Sequence, residues 1–172
     1  YIKTDKKKKP GTSLLKILQK TKNGKAIVNL ADTYIKDLKY KNLKDTILVS
    51  DNFNDGRRWS SVSLDSNYRI SRFHNKKKVS KNQLVLTGVY VFNDISVFLK
   101  YDNNVGDLEI NELLQFYIDR GKQLKIKKTS NWMDFGHIDR YQFSKKRLIQ
   151  SREFNELSFD DFFGTITKKS SN

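Results

Sequence analysis

Two aspartates stand where apolar runs end. Asp134 lies in Asn131-Trp132-Met133-Asp134-Phe135-Gly136-His137, between a bulky aromatic and a glycine, where a strand should give way to a helix. Asp32 closes Ile27-Val28-Asn29-Leu30-Ala31-Asp32 in the same manner. Taken singly, Asp32 reads as a solvated loop residue or a helix cap, a role aspartate often fills, and Asp134 less readily so, because between Trp132 and Gly136 an aspartate is neither a good strand former nor an obvious cap. Taken together they suit a hard cation. Mg²⁺ takes oxygen ligands, commonly one or two protein carboxylates, and fills its other positions with water and substrate phosphates. In an open α/β sheet such ligands lie beyond the carboxyl ends of the strands. The expectation is a divalent-metal site with Asp32 and Asp134 as its protein ligands.

Other chemistries find little support. The chain has no cysteine, which removes disulfides, thiolate metal sites and a cysteine nucleophile. His74 and His137 are far apart and lack the spacing of a zinc helix, and His137 reads as the start of a final helix. No Gly-x-Ser-x-Gly, Walker A or Gly-x-Gly-x-x-Gly segment occurs. The net charge of +15 invites comparison with nucleic-acid binders. The excess is mostly scattered lysine, however, and the runs Lys6 to Lys9 and Lys76 to Lys78 lack the interleaved aromatics of a base-stacking surface. No nucleic-acid partner is expected. Nor is a membrane one, because no apolar run approaches the ~18 residues of a span and the first residues do not form a signal peptide. A cytoplasmic location is the expectation. The only methionine is Met133, so Tyr1 is not an initiator and the chain is expected to be a piece of a longer protein or a processed product.

The elements that must position the aspartates follow from pattern. At 172 residues, 37% hydrophobic, the chain can bury the core of one domain. Pro10-Gly11-Thr12-Ser13 reads as a turn with Thr12 or Ser13 capping a helix whose apolar stripe is Leu14, Leu15, Ile17 and Leu18. The run 26–30 is expected to be a strand buried on both faces, 34–43 a partly helical connection, 46–50 a second buried strand and 51–56 a turn. Alternation from Arg58 to Phe73 predicts a hairpin, with Trp59, Val62 and Leu64 on one strand, a turn at 65–67, and Tyr68, Ile70 and Phe73 on its partner. Leu84 to Phe92 is the most β-prone run, and Gly88 inside it marks a close approach. Asn93-Asp94 should cap a short helix, 107–118 should form an amphipathic helix ended by Gly121, 124–127 a strand, and 138–148 a last helix. Phe154, Leu157, Phe159, Phe162 and Phe163 are too apolar for a free tail.

The order of these segments resembles the sugar-phosphate nucleotidyltransferase family. The resemblance runs from Pro10 to about Leu148. It is carried by Pro10-Gly11-Thr12, Val28-Asn29-Leu30-Ala31-Asp32, Arg58-Trp59, the hairpin ending at Phe73-His74-Asn75-Lys76, Thr87-Gly88-Val89-Tyr90-Val91-Phe92, Asp107-Leu108-Glu109-Ile110 and Trp132-Met133-Asp134-Phe135-Gly136. It implies an α/β, Rossmann-like (GT-A-like) mixed sheet flanked by helices. It also implies Mg²⁺-dependent transfer of a nucleotidyl group from a nucleoside triphosphate to a sugar phosphate or phosphorylated small alcohol, with release of pyrophosphate. Asp32 and Asp134 match the family's metal aspartates, although Leu30-Ala31 replaces a single glycine before Asp32. Gly11 and Thr12 match the segment beside the nucleotide base, Gly88 the glycine that meets the sugar, and Glu109 the glutamate that accepts sugar hydroxyls. Lys76 matches the lysine that contacts the acceptor phosphate. Its Glu-Lys-Pro motif is eroded here to Asn75-Lys76-Lys77, which makes Lys77 the competitor.

The family's first strand and its Gly-x-Gly-x-Arg loop have no counterpart before Pro10. The expectation is therefore a partial nucleotidyltransferase domain over 1–150, inactive alone and with an exposed sheet edge, and a C-terminal extension or linker over 151–172. The tail resembles the junction to a following domain in bacterial capsule proteins, which points to surface polysaccharide synthesis; a polar C-terminal tail reads equally well. An oligomer is compatible with the family. A non-catalytic relative that binds nucleotide or a partner is the competing reading.

Overall fold

The computed structural model describes residues 8–36, 38–51, 57–80, 83–102 and 106–150. Most of the expected turn at 51–56 and all of 151–172, including its phenylalanines, lie outside them. The chain divides into two compact units, Tyr1–Trp132 and Met133–Asn172.

The first unit is built on β6 (Gln83–Phe92), which is buried along nearly its whole length. Its apolar residues have no polar face to offer water, so neighbours cover it on both edges and both faces. On one edge it pairs antiparallel with β3 (Thr46–Ser50), itself buried at every residue. On the other edge its first residues pair with β4 (Ser61–Leu64) and its last with β1 (Ala26–Asn29), both antiparallel. β5 (Ile70–His74) extends the sheet beyond β4, and β7 (Lys125–Lys128) extends it beyond β3 in parallel, so the six-stranded sheet is mixed. Between Ile47 and Val49 of β3 the ladder slips, with Tyr90 and Leu86 opposite them. The Thr87 hydroxyl fills that gap by donating to Leu48 O at 3.0 Å.

Helix α1 (Pro10–Thr21) and α2 (Ile110–Asp119) flank this sheet. Leu15 and Leu18 of α1 join Leu113, Leu114 and Tyr117 of α2, with Phe92 and Phe98, in the main core. Tyr117 stacks on Phe98 at 5.5 Å between centroids, and its hydroxyl reaches Asp45 at 2.7 Å. Burial and that carboxylate push the Tyr117 phenol well above its ordinary pKa. A 3-10 turn at Ile95–Lys100 follows the expected Asp94 cap, whose carboxylate accepts from Ser96 N.

Four expectations need correction. Pro10 occupies the first turn of α1, where its missing N–H costs nothing, and Lys9 precedes it without a side-chain cap. Thr12 lies inside the helix, and its hydroxyl accepts the Leu108 N–H at 2.8 Å instead of capping. Strand β1 is not buried on both faces: Ile27 is 47% exposed and shares an open face with Asn29, while Ala26 and Val28 on the other face pack against the core. Tyr68 is 83% exposed in the left-handed region, because Asp65 Oδ1 accepts from both Asn67 N and Arg69 N and so prolongs the hairpin turn to Arg69. The partly helical connection contains a short strand, β2 (Thr33–Ile35), and a 3-10 turn at Tyr40–Asn42.

Strand β8 (Trp132–Asp134) leads into the second unit, which contains α3 (Ile138–Gln150). The His137 carbonyl accepts the first helical bond, from Tyr141 N at 2.7 Å, so His137 begins α3 as expected. Phe135 meets Tyr141 edge-on at 5.8 Å. Among the described residues no helix is long and apolar enough to cross a membrane.

Candidate active site

Asp134 ends β8 and is only 3% exposed. A carboxylate so buried needs partners, since desolvation without hydrogen bonds costs several kcal/mol on the order of a lost charged bond. The chain turns back at once to supply them. Gly136 N donates to Oδ1 at 2.9 Å, and the His137 ring Nδ1 meets Oδ2 at 2.8 Å. The Asp134 carbonyl accepts the Ser144 hydroxyl at 2.9 Å, which ties the strand end to α3. Sequence reasoning missed this role of His137. Its signal, an Asp-x-x-His spacing, acquires meaning only when the chain reverses between the two residues.

Asp32 belongs to the first unit and is exposed, at the centre of a turn closed by Thr33 N donating to Leu30 O at 3.0 Å. The turn, rather than the carboxylate, is what the protein holds. Leu30 N donates to Gly88 O at 3.0 Å, and the Thr33 hydroxyl donates to Thr87 O at 2.6 Å. Gly88 has φ +92, and a Cβ there would lie 2.9 Å from Thr33 Oγ1 and 3.1 Å from Leu30 Cδ1. Glycine is thus required both by its backbone angle and by the loop that carries Asp32. The Asp32 charge reaches the buried Tyr90 phenol, which is raised by burial first and by this carboxylate second.

Gly11, Thr12 and Glu109 come together at the facing ends of α1 and α2. A Cβ on Gly11 would overlap the Glu109 carbonyl, so α1 and the segment before α2 touch backbone to backbone. Thr12 N also donates to Leu108 O at 3.3 Å. Glu109 caps α2 in a capping box with Glu112 and pairs with Lys9 at 3.4 Å. Its carboxylate therefore has a structural task within the fold. Asn75 accepts from Asn111 Nδ2 at 2.7 Å, joining the end of β5 to α2. Beside this pair a cleft of about 440 Å³ is lined by Lys77 but not by Lys76. Trp59 packs edge-on against Trp132, with ring centroids 5.3 Å apart.

Among the described residues no three His, Asp or Glu side chains converge into a metal cage. Asp32 and Asp134 each offer hard carboxylate oxygens, the kind of donor that Mg²⁺ takes alongside water and substrate phosphates.

A mixed sheet flanked by helices, with one aspartate on a strand-end turn and another buried at a strand end, defines a Rossmann-like α/β domain. The chain belongs to the nucleotidyl transferase family, whose model matches residues 17–151. No curated protein matches its sequence. Among solved structures it is similar to a Bacillus anthracis protein assigned as a glucose-1-phosphate thymidylyltransferase, in complex with sucrose, at 24% identity and TM-score 0.67 over 83% of this chain and 62% of that one. HddC from Yersinia pseudotuberculosis with GMP-PN gives 18% identity and TM-score 0.61 over 86% of this chain and 65% of that one. The inositol-1-phosphate CTP transferase from T. maritima gives 20% and 0.58 over 81% and 62%. At these identities the likeness shows the fold. The chain spans less than two thirds of each of these neighbours.

Proposed function

We propose that the protein transfers a nucleotidyl group from a nucleoside triphosphate to a sugar phosphate or phosphorylated small alcohol, releasing pyrophosphate, and that its product feeds surface polysaccharide synthesis. The observation that carries this reading is the family match over residues 17–151. Two neighbours act, by their descriptions, on glucose 1-phosphate and on inositol 1-phosphate, which are the two acceptor classes proposed.

In such a transfer an oxygen of the acceptor phosphate attacks the α-phosphorus. The new P–O bond forms as the α–β bridging bond breaks, and pyrophosphate leaves with the electron pair. A phosphate dianion is already a nucleophile at neutral pH, so no general base is required. The protein's task is to bring two anions together and to offset charge growing on the leaving group. Asp32 and Asp134 are each proposed as Mg²⁺ ligands, and the bound ion would supply that charge. Gly136 and His137 fix the orientation of the Asp134 carboxylate, and Gly88 and Thr33 fix the turn that carries Asp32. Gly11 and Thr12 are proposed beside the nucleotide base, and Gly88 and Glu109 on the sugar side. Lys76 is the acceptor-phosphate lysine proposed from the motif, with Lys77, which lines the cleft, as its competitor.

The test is a pyrophosphate-release screen of the full-length protein against the common triphosphates, each with glucose 1-phosphate, mannose 1-phosphate and inositol 1-phosphate. One pair is expected to turn over only with Mg²⁺. Release from no pair would overturn the transferase reading and favour a non-catalytic nucleotide-binding relative.

A further inference from the structure

We infer that the segment 153–163 folds back on α3 of the same chain and covers an apolar stripe along one face of that helix. The stripe is Ile138, Tyr141 and Ile149, residues at helical spacing with the Lys145 stem between them. All three apolar side chains are exposed, Ile138 to 85%, and Tyr141 is steadied edge-on by Phe135. Ser144, by contrast, is buried on another face of the helix, where it holds the Asp134 carbonyl. A surface helix ordinarily turns its apolar side inward. Helix α3 instead leaves apolar surface open on a side that its anchor does not use.

The segment that follows has the complementary composition. Phe154, Leu157, Phe159, Phe162 and Phe163 need cover as much as the stripe does. Among them stand Glu153, Glu156, Asp160 and Asp161, with no lysine or arginine. Helix α3 carries Arg140, Lys145, Lys146 and Arg147 against a single aspartate. Opposite charge therefore accompanies the apolar match. A second copy of α3 would bring cations against cations, in a chain whose net charge is already +15. Length suffices as well. The stripe runs about 16 Å from Ile149 to Ile138, and residues 153–163 span from about 16 Å as a helix to about 36 Å extended. Because the segment starts just after Gln150, where α3 ends, its effective concentration at the stripe is on the order of millimolar, which favours it over a free partner. The consequence is a brace on the helix whose Ser144 ties down the strand end at Asp134.

The inference does not depend on nucleotidyl transfer. The chain has no cysteine, so an introduced pair reports proximity without background. Gln142 is exposed beside the stripe, and Ser158 lies among the aromatic residues of the segment. The experiment compares disulfide formation under oxidised glutathione in the full chain carrying Gln142→Cys and Ser158→Cys with that in a control carrying Gln142→Cys and Ser171→Cys, read on non-reducing gels. A monomeric disulfide is expected to form about tenfold faster in the first pair, whereas loop length alone gives about two- to threefold. Adding Phe154→Ser, Leu157→Ser and Phe162→Ser should return the rate to the loop-length value. A first-pair rate at that value from the outset would overturn the inference, and sedimentation of the same chain with phosphatidylserine vesicles would then assign the stripe to a membrane surface. A disulfide-linked dimer as the main product would overturn it in favour of a second copy. A fast rate that survives the serine substitutions would overturn it too, because the aromatic residues would then hold nothing.

Discussion

Asp134 is 3% exposed, with a backbone N–H on one carboxylate oxygen and a histidine ring on the other, whereas Asp32 is exposed and rides on a turn whose flanking residues make the bonds. The same side chain, at the end of a strand in both places, is held directly in one and indirectly in the other. The difference predicts how function and stability are coupled. A buried carboxylate with two committed acceptors cannot change without disturbing its donors. An exposed one can be neutralised while the turn beneath it stays intact. At Asp134 the two consequences are entangled, and at Asp32 they separate.

The largest effect is expected from Asp134→Asn. An amide presents one acceptor and one donor group, so its NH₂ must face either Gly136 N or the His137 ring. Stability should fall by about 1–3 kcal/mol in urea unfolding. Mg²⁺-dependent pyrophosphate release should fall by roughly 10²–10³-fold, the scale of losing one preorganised electrostatic group. Retained turnover would remove Asp134 from the metal assignment. Asp32→Asn sharpens the contrast. Turnover should fall similarly, while stability stays within about 0.5 kcal/mol of the parent, as for surface changes away from special features. If the two variants lose equal stability, the two carboxylates are not held in different ways.

Gly88→Ala attacks the indirect holding from below. Its Cβ would meet Thr33 Oγ1 and Leu30 at a φ of +92, and β6 is too well buried to shift. The expected cost is about 1–3 kcal/mol, with turnover lost as the Asp32 turn is displaced. An alanine variant of unchanged stability would mean that the turn moves freely and that Asp32 is held by nothing in the fold.

How much of this was legible in the sequence depends on the range of each interaction. The continuous apolar runs at 46–50 and 84–92 announce buried strands, and Gly88 announces a close approach whose partner, the Leu30–Thr33 turn, only the structure supplies. The frame of Trp132 and Gly136 marks Asp134, but its burial and its bond to His137 depend on the reversal after β8. Ile27 looks as buried as Ile47, yet lies on the open face of β1, and whether a strand is covered on one face or both is decided by residues far away in the chain. Alternation through Tyr68 misleads for a local reason: Asp65 binds backbone as far as Arg69 and takes Tyr68 out of the strand. The cleft beside Asn75 and Asn111 joins segments 36 residues apart, so no local pattern announces it.

The smallest effect tests the same contrast most finely. Thr33→Val keeps the shape of the side chain and removes the hydroxyl that donates to Thr87 O at 2.6 Å. The Thr87 carbonyl then loses one partner at a partly buried position, and the cost should be about 1 kcal/mol in urea unfolding. Asp32 itself is untouched. If the hydroxyl matters only for stability, turnover in saturating Mg²⁺ should be unchanged. If it places the turn, the Mg²⁺ concentration for half-maximal rate should rise about three- to tenfold while the saturated rate stays within twofold of the parent, since ~1 kcal/mol of lost positioning appears as weaker metal binding at the turn. The second outcome is expected, because the Thr33 hydroxyl and the Leu30 N–H both fasten this turn to β6, and removing one would leave the proposed metal carboxylate less firmly placed.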